Sequence, residues 1–271
     1  RGYLHRLARE LQGEAVGLSD GLTTLDGSHP GMAERAGPAA DAGNGSNPAS
    51  LVEWGDLTGQ RVGLHEVLAF LGVGGMGEVY KARDLVTGKL VALKLIRRDR
   101  FAHLHADEQA ALLQRFEGEV RTAAQLDHEN IVPLYQAGAW EGRPYFTMRW
   151  IDGKSLAEVL RQGPMPPADA ARCVWRIALA IAYAHENRLI HRDIKPHNIL
   201  IDRRGIPHLA DFGLAKSLGL EPTGLTESGG LLGTVPYLAP ECLKGPHSAS
   251  MASDQYALGA TLYHLLTGRP P

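Results

Sequence analysis

Residues His191 to Leu200 read HRDIKPHNIL, with apolar sequence on both sides. Asp193, Lys195 and Asn198 place a carboxylate, an ammonium and a carboxamide within one short stretch. Such a set could orient a hydroxyl, hold a phosphate and ligate a metal. It could also be a solvated turn between a helix and a strand. A little further on, LADFG adds Asp211, after a β-compatible run and before Gly213. Oxygen ligands from one Asn and one Asp suit Mg²⁺, which keeps some waters and shares the rest of its shell with substrate phosphates.

Two further stretches carry chemistry of the same kind. In LGVGGMGEVYKARD, Gly72, Gly74 and Gly77 match G-x-G-x-x-G. A dinucleotide site needs a helix after those glycines. Here Glu78 to Arg83 continues as a strand, so the glycines make either a plain flexible hairpin or one that folds over a phosphate chain. In VALK, Lys94 sits inside a largely apolar run. A buried ammonium needs an anionic partner, either a phosphate or a carboxylate. Glu119, on a predicted helix Arg115 to Leu126, is a candidate, although an acid on a helix face is ordinarily solvated.

These groups need elements to position them. Leu64 to Leu71, Glu78 to Arg83, Leu90 to Ile96, Ile131 to Gln136 and Pro144 to Trp150 read as strands. With the one helix, they predict an antiparallel sheet unit. Helical sequence follows. Ser155 and Glu158 have capping-box spacing. PPADAARCVWRIALAIAYAHEN opens on prolines and keeps helical apolar spacing. SDQYALGATLYHLLTG reads as a third helix, capped by Ser253 and stopped by Gly268. The fold class is α+β, a strand-rich lobe over 57–151 and a helix-rich lobe over 152–271. The cleft between two such lobes is a usual place for a ligand.

Composition is that of a globular chain. The 271 residues are 44% hydrophobic and 21% charged, with a formal net charge of −2. Nothing in that balance points to nucleic acid. Cys173 and Cys242 make no disulfide framework and fit a reducing compartment. No apolar run is long enough to span a bilayer. From Gly27 to Ser50, 19 of 24 positions are Gly, Ala, Pro, Ser or Asn, without a Leu, Ile, Val or aromatic residue. That composition predicts a disordered linker inside an N-terminal extension over 1–56. Before it, Leu4, Leu7 and Leu11 share helical spacing. The chain begins with Arg1 and ends on TGRPP, so both ends read as cut.

Taken in order, the glycine loop, the VALK lysine, a helix glutamate, HRD-x-K-P-x-N, DFG and APE resemble the protein kinase family. GGMGEVYKARD and HRDIKPHNIL resemble its bacterial serine/threonine members. The resemblance covers roughly Leu57 to Pro271. It implies a bilobal fold, with a five-stranded antiparallel sheet and one helix in the first lobe, and a mostly helical second lobe. It implies ATP with Mg²⁺, or Mn²⁺, transfer of the γ-phosphate to protein Ser and Thr hydroxyls, and a cytoplasmic domain.

Residue by residue, the resemblance implies that Leu71, Gly72, Gly74, Gly75, Gly77 and Val79 cover the nucleotide. Lys94 would hold the α- and β-phosphates and pair with Glu119. Ala92 and Leu200 would sandwich adenine. Met148 falls at the gatekeeper, with Arg149 and Ile151 in the hinge. Asp193 would accept the proton of the substrate hydroxyl, Lys195 would steady the γ-phosphate, and Asn198 and Asp211 would hold the metal. Thr234 would bond the catalytic aspartate and lysine. Leu134, His191, Phe212 and Asp254 match positions that join the lobes. Arg192 would pair with a phosphate on the segment between Asp211 and Glu241, with Thr226 and Ser228 as the leading sites and Ser217 and Thr223 behind them. Self-association of two copies would serve that loop phosphorylation.

Three positions depart from the pattern. Arg149 stands where the hinge usually begins with Glu, but adenine is met there by backbone. Ala123 is smaller than the usual residue of the lobe-joining stack. Glu241 would pair with an arginine in the family's last helices, which are absent here, so the chain is predicted to be marginally stable and weakly active alone. Two rivals differ in class. A pseudokinase scaffold would lack Lys94, Asp193 or Asp211. A small-molecule kinase would usually lack this glycine loop and the GT…APE segment.

Overall fold

The computed structural model describes residues 56–74, 77–98, 104–214, 235–244 and 248–271. The predicted linker over 27–50 and the Leu4, Leu7, Leu11 spacing lie outside the described residues. Residues Leu57–Pro271 form one compact unit.

The first part of this unit is a six-stranded sheet. Its strands are β1 (Arg61–Val62), β2 (His65–Val73), β3 (Gly77–Asp84), β4 (Leu90–Ile96), β5 (Leu134–Trp140) and β6 (Arg143–Arg149). They lie in the order β1-β2-β3-β4-β6-β5, and every pairing is antiparallel. The five expected strands are present, and β1 adds a two-residue edge. Strand β5 begins at Leu134, not Ile131. Pro133 has no N–H to give a ladder, and Ile131 instead bridges Leu209.

The continuous apolar run of β4 is explained by cover on both faces. Val91, Leu93 and Leu95 join a core with Tyr80, Val67 and Tyr145. Ala92 and Ile96 face the other way, into a core with Phe116 and Val120. Alternation along a strand then puts Lys94 on the face of Ala92 and Ile96.

Phe116 and Val120 belong to α1 (Ala106–Ala123), which starts well before the Arg115 expected from apolar spacing. Its first half is largely exposed, so it carries no apolar stripe to read. A capping box from His105 and Glu108 fixes its start instead: the Glu108 carboxylate accepts the His105 N–H at 2.9 Å.

The second part is mainly helical. Helix α2 (Leu156–Leu160) opens on the reciprocal Ser155–Glu158 cap. Helix α3 (Pro167–Glu186) buries Cys173, Ile177, Ala180, Ile181 and Ala184 along one side. Burial pushes the Cys173 thiol up to about 12, so it is a small core hydrophobe and not a nucleophile. Helix α4 (Met251–Thr267) ends on Gly268, in the left-handed region at φ 72°. Its cap is Ser250, whose hydroxyl accepts the Ser253 N–H at 3.3 Å; Ser253 returns a bond at 2.8 Å from the third helical position. The cap therefore lies three residues before the expected Ser253, and both serines fit the same sequence pattern.

Strands β7 (Gly153–Ser155), β8 (Ile199–Asp202) and β9 (Pro207–Leu209) form a small sheet that carries the polar loops.

Candidate active site

The HRD segment leaves α3 and runs 188–195 without regular structure before a 3-10 turn, Pro196–Asn198, leads into β8. Its shape is imposed by one buried acid of α4. Asp254 is 1% exposed and accepts the main-chain N–H groups of His191 and Arg192, each at 2.8 Å. His185 Nε2 lies 2.8 Å from the same carboxylate. Burial pushes the Asp254 carboxyl up, but the His185 bond and the two main-chain N–H donors help to hold it low. The pinned N–H pair keeps Arg192 in the left-handed region, at φ 68°. A non-glycine there persists only when its surroundings over-determine it.

His191 is fully buried. Its Nε2 lies 3.1 Å from the Ala210 carbonyl, and its Nδ1 accepts the Asp193 N–H at 3.3 Å. That pattern requires the neutral ring with the proton on Nε2. Burial lowers its pKa, against the nearby Asp254, Asp193 and Asp211 carboxylates. The ring packs on Phe212 at 4.6 Å between centroids, and Gly213 N–H donates to the His191 carbonyl at 2.8 Å. HRD and DFG are thus locked together.

On this base sit the groups with chemistry. Asp193 is 5% exposed. Lys195 Nζ lies 2.9 Å from its Oδ2. Asn198 Nδ2 donates to the Asp193 carbonyl at 2.7 Å and to Oδ2 at 2.8 Å. With both amide hydrogens used, the Asn198 carbonyl oxygen is the atom left for another partner. Main chain joins this turn to the DFG strand, through Ala210 N–H to the Asn198 carbonyl at 2.9 Å.

Asp211 is also left-handed, at φ 57°. Its Oδ2 takes Lys94 Nζ at 2.7 Å. Its Oδ1 is buried and has no hydrogen-bond partner among the described residues. A buried carboxylate oxygen without a donor is costly unless a cation meets it. Among the described residues no three His, Cys, Asp or Glu side chains cluster as a metal cage. One Asp and one Asn oxygen, completed by phosphate oxygens and water, is the donor set Mg²⁺ accepts, so the residues present fit that ion.

In Asp211, Lys94 has an anionic partner of the kind that its burial demanded. Glu119, the partner expected from sequence, is half-buried on α1 and lines an adjacent cavity of about 350 Å³. That cavity also holds three arginines: Arg115 of α1, Arg188 and Arg192. Arg115 and Arg188 escaped the sequence reading, because only the fold brings them to Arg192.

Most of the residues expected to cover the nucleotide fall on strands of the first sheet. Leu71 and Gly72 are on β2, Gly77 and Val79 on β3, and Gly75 lies outside the described residues. Gly74 and Gly77 close the hairpin, with Gly74 N–H to the Gly77 carbonyl at 2.8 Å. A Cβ at Gly72 or Gly74 would meet nothing within 4 Å, which leaves open space on that face. At Gly77 it would run into the Leu95 carbonyl, so packing against β4 by itself requires a glycine there. Val79 pairs with Lys94 and Ala92 with Met148 across the sheet. Ala92 and Met148 share one apolar cluster with Phe212, and Ile151 and Leu200 pack against it, half-buried. Arg149 ends β6, exposed.

Leu134 and Ala123 belong to the same cluster. Glu241 is half-buried in a 3-10 turn, Pro240–Lys244. Ser217, Thr223, Thr226, Ser228 and Thr234 lie outside the described residues.

Comparison with known proteins agrees with this geometry. The profile of the protein kinase domain matches residues 65–271. Serine/threonine-protein kinase PrkC of Bacillus subtilis is 41% identical over 217 residues, which are 79% of this chain and 32% of that protein. Serine/threonine-protein kinase PknB of Mycobacterium leprae is 39% identical over 212 residues, 76% of this chain and 33% of that protein. The chain thus spans about a third of the length of these curated relatives. Among solved structures, the Mycobacterium tuberculosis PknI kinase domain superposes with a TM-score of 0.62 at 28% identity, covering 79% of this chain and 78% of that one. The chain belongs to the protein kinase domain family.

Proposed function

We propose that this chain transfers the γ-phosphate of ATP to serine and threonine hydroxyls of proteins. The observation that carries the reading is the pair of buried carboxylates with different surroundings. Asp193 faces Lys195 and Asn198, and Asp211 faces Lys94 with one oxygen left over. Asp193 accepts the proton of the substrate hydroxyl as its oxygen bonds to the γ-phosphorus and the bond to the β,γ-bridging oxygen breaks. Lys195 holds charge at the phosphoryl group in transit, and Lys94 holds the rest of the phosphate chain. Phosphoryl transfer proceeds through a loose transition state, so positioning and charge stabilisation supply most of the catalysis. Asn198 and Asp211 would hold the divalent ion, which neutralises the phosphate oxygens when bound. Ala92, Met148, Ile151 and Leu200 would line the adenine slot.

The choice of Ser and Thr rests on the lysine of DIKP and on the relatives' names as serine/threonine-protein kinases. Control would act through the loop. A phosphate on Thr226 or Ser228 would be received by Arg192 with Arg115 and Arg188, and Glu119 would be set on Lys94. Two copies phosphorylating each other would supply that phosphate. The reaction belongs to the cytoplasm, where ATP is available. No helix among the described residues is long and apolar enough to cross a membrane.

The test is incubation of the chain with Mg²⁺, ATP and a mixed protein substrate, with phosphoamino acids identified by mass spectrometry. Phosphoserine and phosphothreonine in the parent reaction, absent with Asp193→Asn, are expected. Phosphate on tyrosine only, or transfer to an aminoglycoside and to no protein, would overturn the reading.

A further inference from the structure

The root of the glycine hairpin is tied across the sheet by side chains that the reaction itself does not use. Strand β5 turns into β6 over Glu141 and Gly142, both in the left-handed region at φ 49° and 73°. Trp140 pairs with Arg143 across them, which makes a two-residue hairpin of the kind that needs positive φ at both central positions. This tight turn fixes Arg143 as the first residue of β6. Its guanidinium then reaches over the end of β4. Arg143 Nε donates to the Ile96 carbonyl at 3.1 Å, and Nη2 donates to Glu78 Oε2 at 3.0 Å. Main-chain pairing of β4 with β6 stops at Leu95 and Tyr145, and the residue before Tyr145 is Pro144, which has no N–H to give. The side chain of Arg143 takes over where the ladder ends.

Glu78 follows Gly77 on β3 and is 3% exposed. Its Oε2 also accepts the Tyr80 hydroxyl at 3.0 Å. Tyr80 is fully buried and meets Phe70 of β2 edge-on, with centroids 5.5 Å apart. Across the sheet Glu78 pairs with Leu95, and Val79 pairs with Lys94. Alternation therefore puts Glu78 on the face opposite Lys94. From there it cannot touch a nucleotide, but it holds the backbone of its two neighbours, Gly77 and Val79. A buried ion pair seldom stabilises a fold more than apolar packing of the same volume. What it adds is direction. A planar guanidinium fixes two acceptors at once, which the point charge of a lysine does not. Here one acceptor belongs to β3 at the root of the hairpin and the other to β4 beside it.

We propose that Arg143 is a positioning residue for the nucleotide phosphates: through Glu78 it fixes the root from which Gly72 and Gly74 cover them. The inference rests on the kinase reading above and adds a residue that acts on the same site from behind the sheet. Without the guanidinium the start of β3 is no longer tied to the Ile96 carbonyl. The hairpin must then be ordered when ATP binds, and that ordering costs affinity. The loss is confined to ligands with phosphates. Adenosine, seated in the slot of Ala92, Met148, Ile151 and Leu200, does not draw on the hairpin in this way.

The test measures the affinities of Mg²⁺–ATP and of adenosine by calorimetry, with steady-state kinetics and thermal melts on the same samples. Arg143→Met alone leaves the Glu78 carboxylate buried without its cation, so it is combined with Glu78→Gln, which removes both charges and still accepts the Tyr80 hydroxyl. This double variant is expected to melt close to the parent and to bind ATP about fivefold more weakly, with adenosine affinity within about twofold. The KM for ATP should rise by the same factor, and kcat should change by less than about twofold. Arg143→Lys keeps a cation beside Glu78 but not the fork, and carries the test on a second folded background. It is expected to weaken ATP by about twofold and to leave adenosine unchanged. Parental ATP affinity in both variants, or equal losses for ATP and adenosine, would overturn the inference. The two readings fail separately. If the variants lose ATP affinity selectively but the parent transfers no phosphate, the role of Arg143 stands and the kinase reading falls.

Discussion

Lys94 Nζ and Asp211 Oδ2 meet at 2.7 Å across 117 residues of chain. One comes from the middle strand of the sheet unit, the other from the loop after the small second sheet. Both side chains are largely buried. This pair ties the two parts of the molecule together at the point where phosphate and metal would lie, and each partner makes the burial of the other tolerable.

Removing one charge should therefore do two kinds of damage. Lys94→Met leaves the Asp211 carboxylate buried without its cation. Transfer is expected to fall at least about 100-fold, the scale seen when a preorganised charge is lost from a site, with weaker ATP binding by calorimetry. Thermal stability should fall as well, because a buried charge is left uncompensated. Unchanged ATP affinity would detach Lys94 from the nucleotide.

The glycines of the hairpin should separate by role. Gly77→Ala drives a Cβ into the Leu95 carbonyl and is expected to cost about 2 kcal/mol of stability, the range for overpacking. Gly74→Ala meets open space, so stability should stay within about 0.5 kcal/mol. Its effect should appear instead as a raised KM for ATP, because a methyl group then stands where phosphates approach. Thermal melts and steady-state kinetics on the two variants check both halves.

Asp254→Asn replaces one of the two oxygens that accept the His191 and Arg192 N–H groups by a donor. The cost is expected to be about 2–4 kcal/mol, from an unsatisfied buried N–H and the loss of the charged partner of His185. Released from its pin, Arg192 should leave the left-handed region, and kcat should fall with stability. A melt and a rate measurement on the same sample would show the two losses together.

Buried histidines set an acid limit on stability. Burial lowers the pKa of His65 despite its bond to the Val62 carbonyl and the nearby Asp84, and His191 is lowered in the same way. Above pH of about 6.5 these rings are neutral both folded and unfolded. Below it the unfolded chain takes up protons that the native chain refuses, so stability falls with pH until the lower native pKa is reached. Each ring contributes up to about 1.4 kcal/mol per pH unit in that window. The melting temperature should drop between pH 7.5 and 5.5, and His65→Gln should flatten the slope whatever it does to the absolute value.

How far the sequence carried depends on what kind of signal each residue left. The strand β4 was legible to the residue, because a run covered on both faces reads as continuously apolar. The grouping of Asp193, Lys195 and Asn198 was legible because the three stand side by side in one loop. The start of α1 was not, because an exposed first half has no periodicity to show. Nor was the contact of Lys94 with Asp211, because the two stand 117 residues apart and only packing brings them together. His185, Arg115 and Arg188 were hidden for the same reason. Each is an ordinary polar residue of a helix or its edge until the fold brings Asp254 or Arg192 beside it. The packing demand on Gly77 was hidden too, since a phosphate-approach glycine and a strand-packing glycine look alike in sequence.

The central claim is that Asp193 is the proton acceptor in phosphate transfer, while Lys94 and Asp211 hold nucleotide and metal. The most direct measurement compares the parent with Asp193→Asn in single-turnover transfer from ATP to a serine peptide, alongside ATP affinity by calorimetry with Mg²⁺. The account predicts a loss of about 10²–10⁴ in transfer rate, with ATP affinity within twofold or so of the parent. A variant that transfers phosphate at the parental rate, or one that loses ATP binding together with transfer, would contradict it.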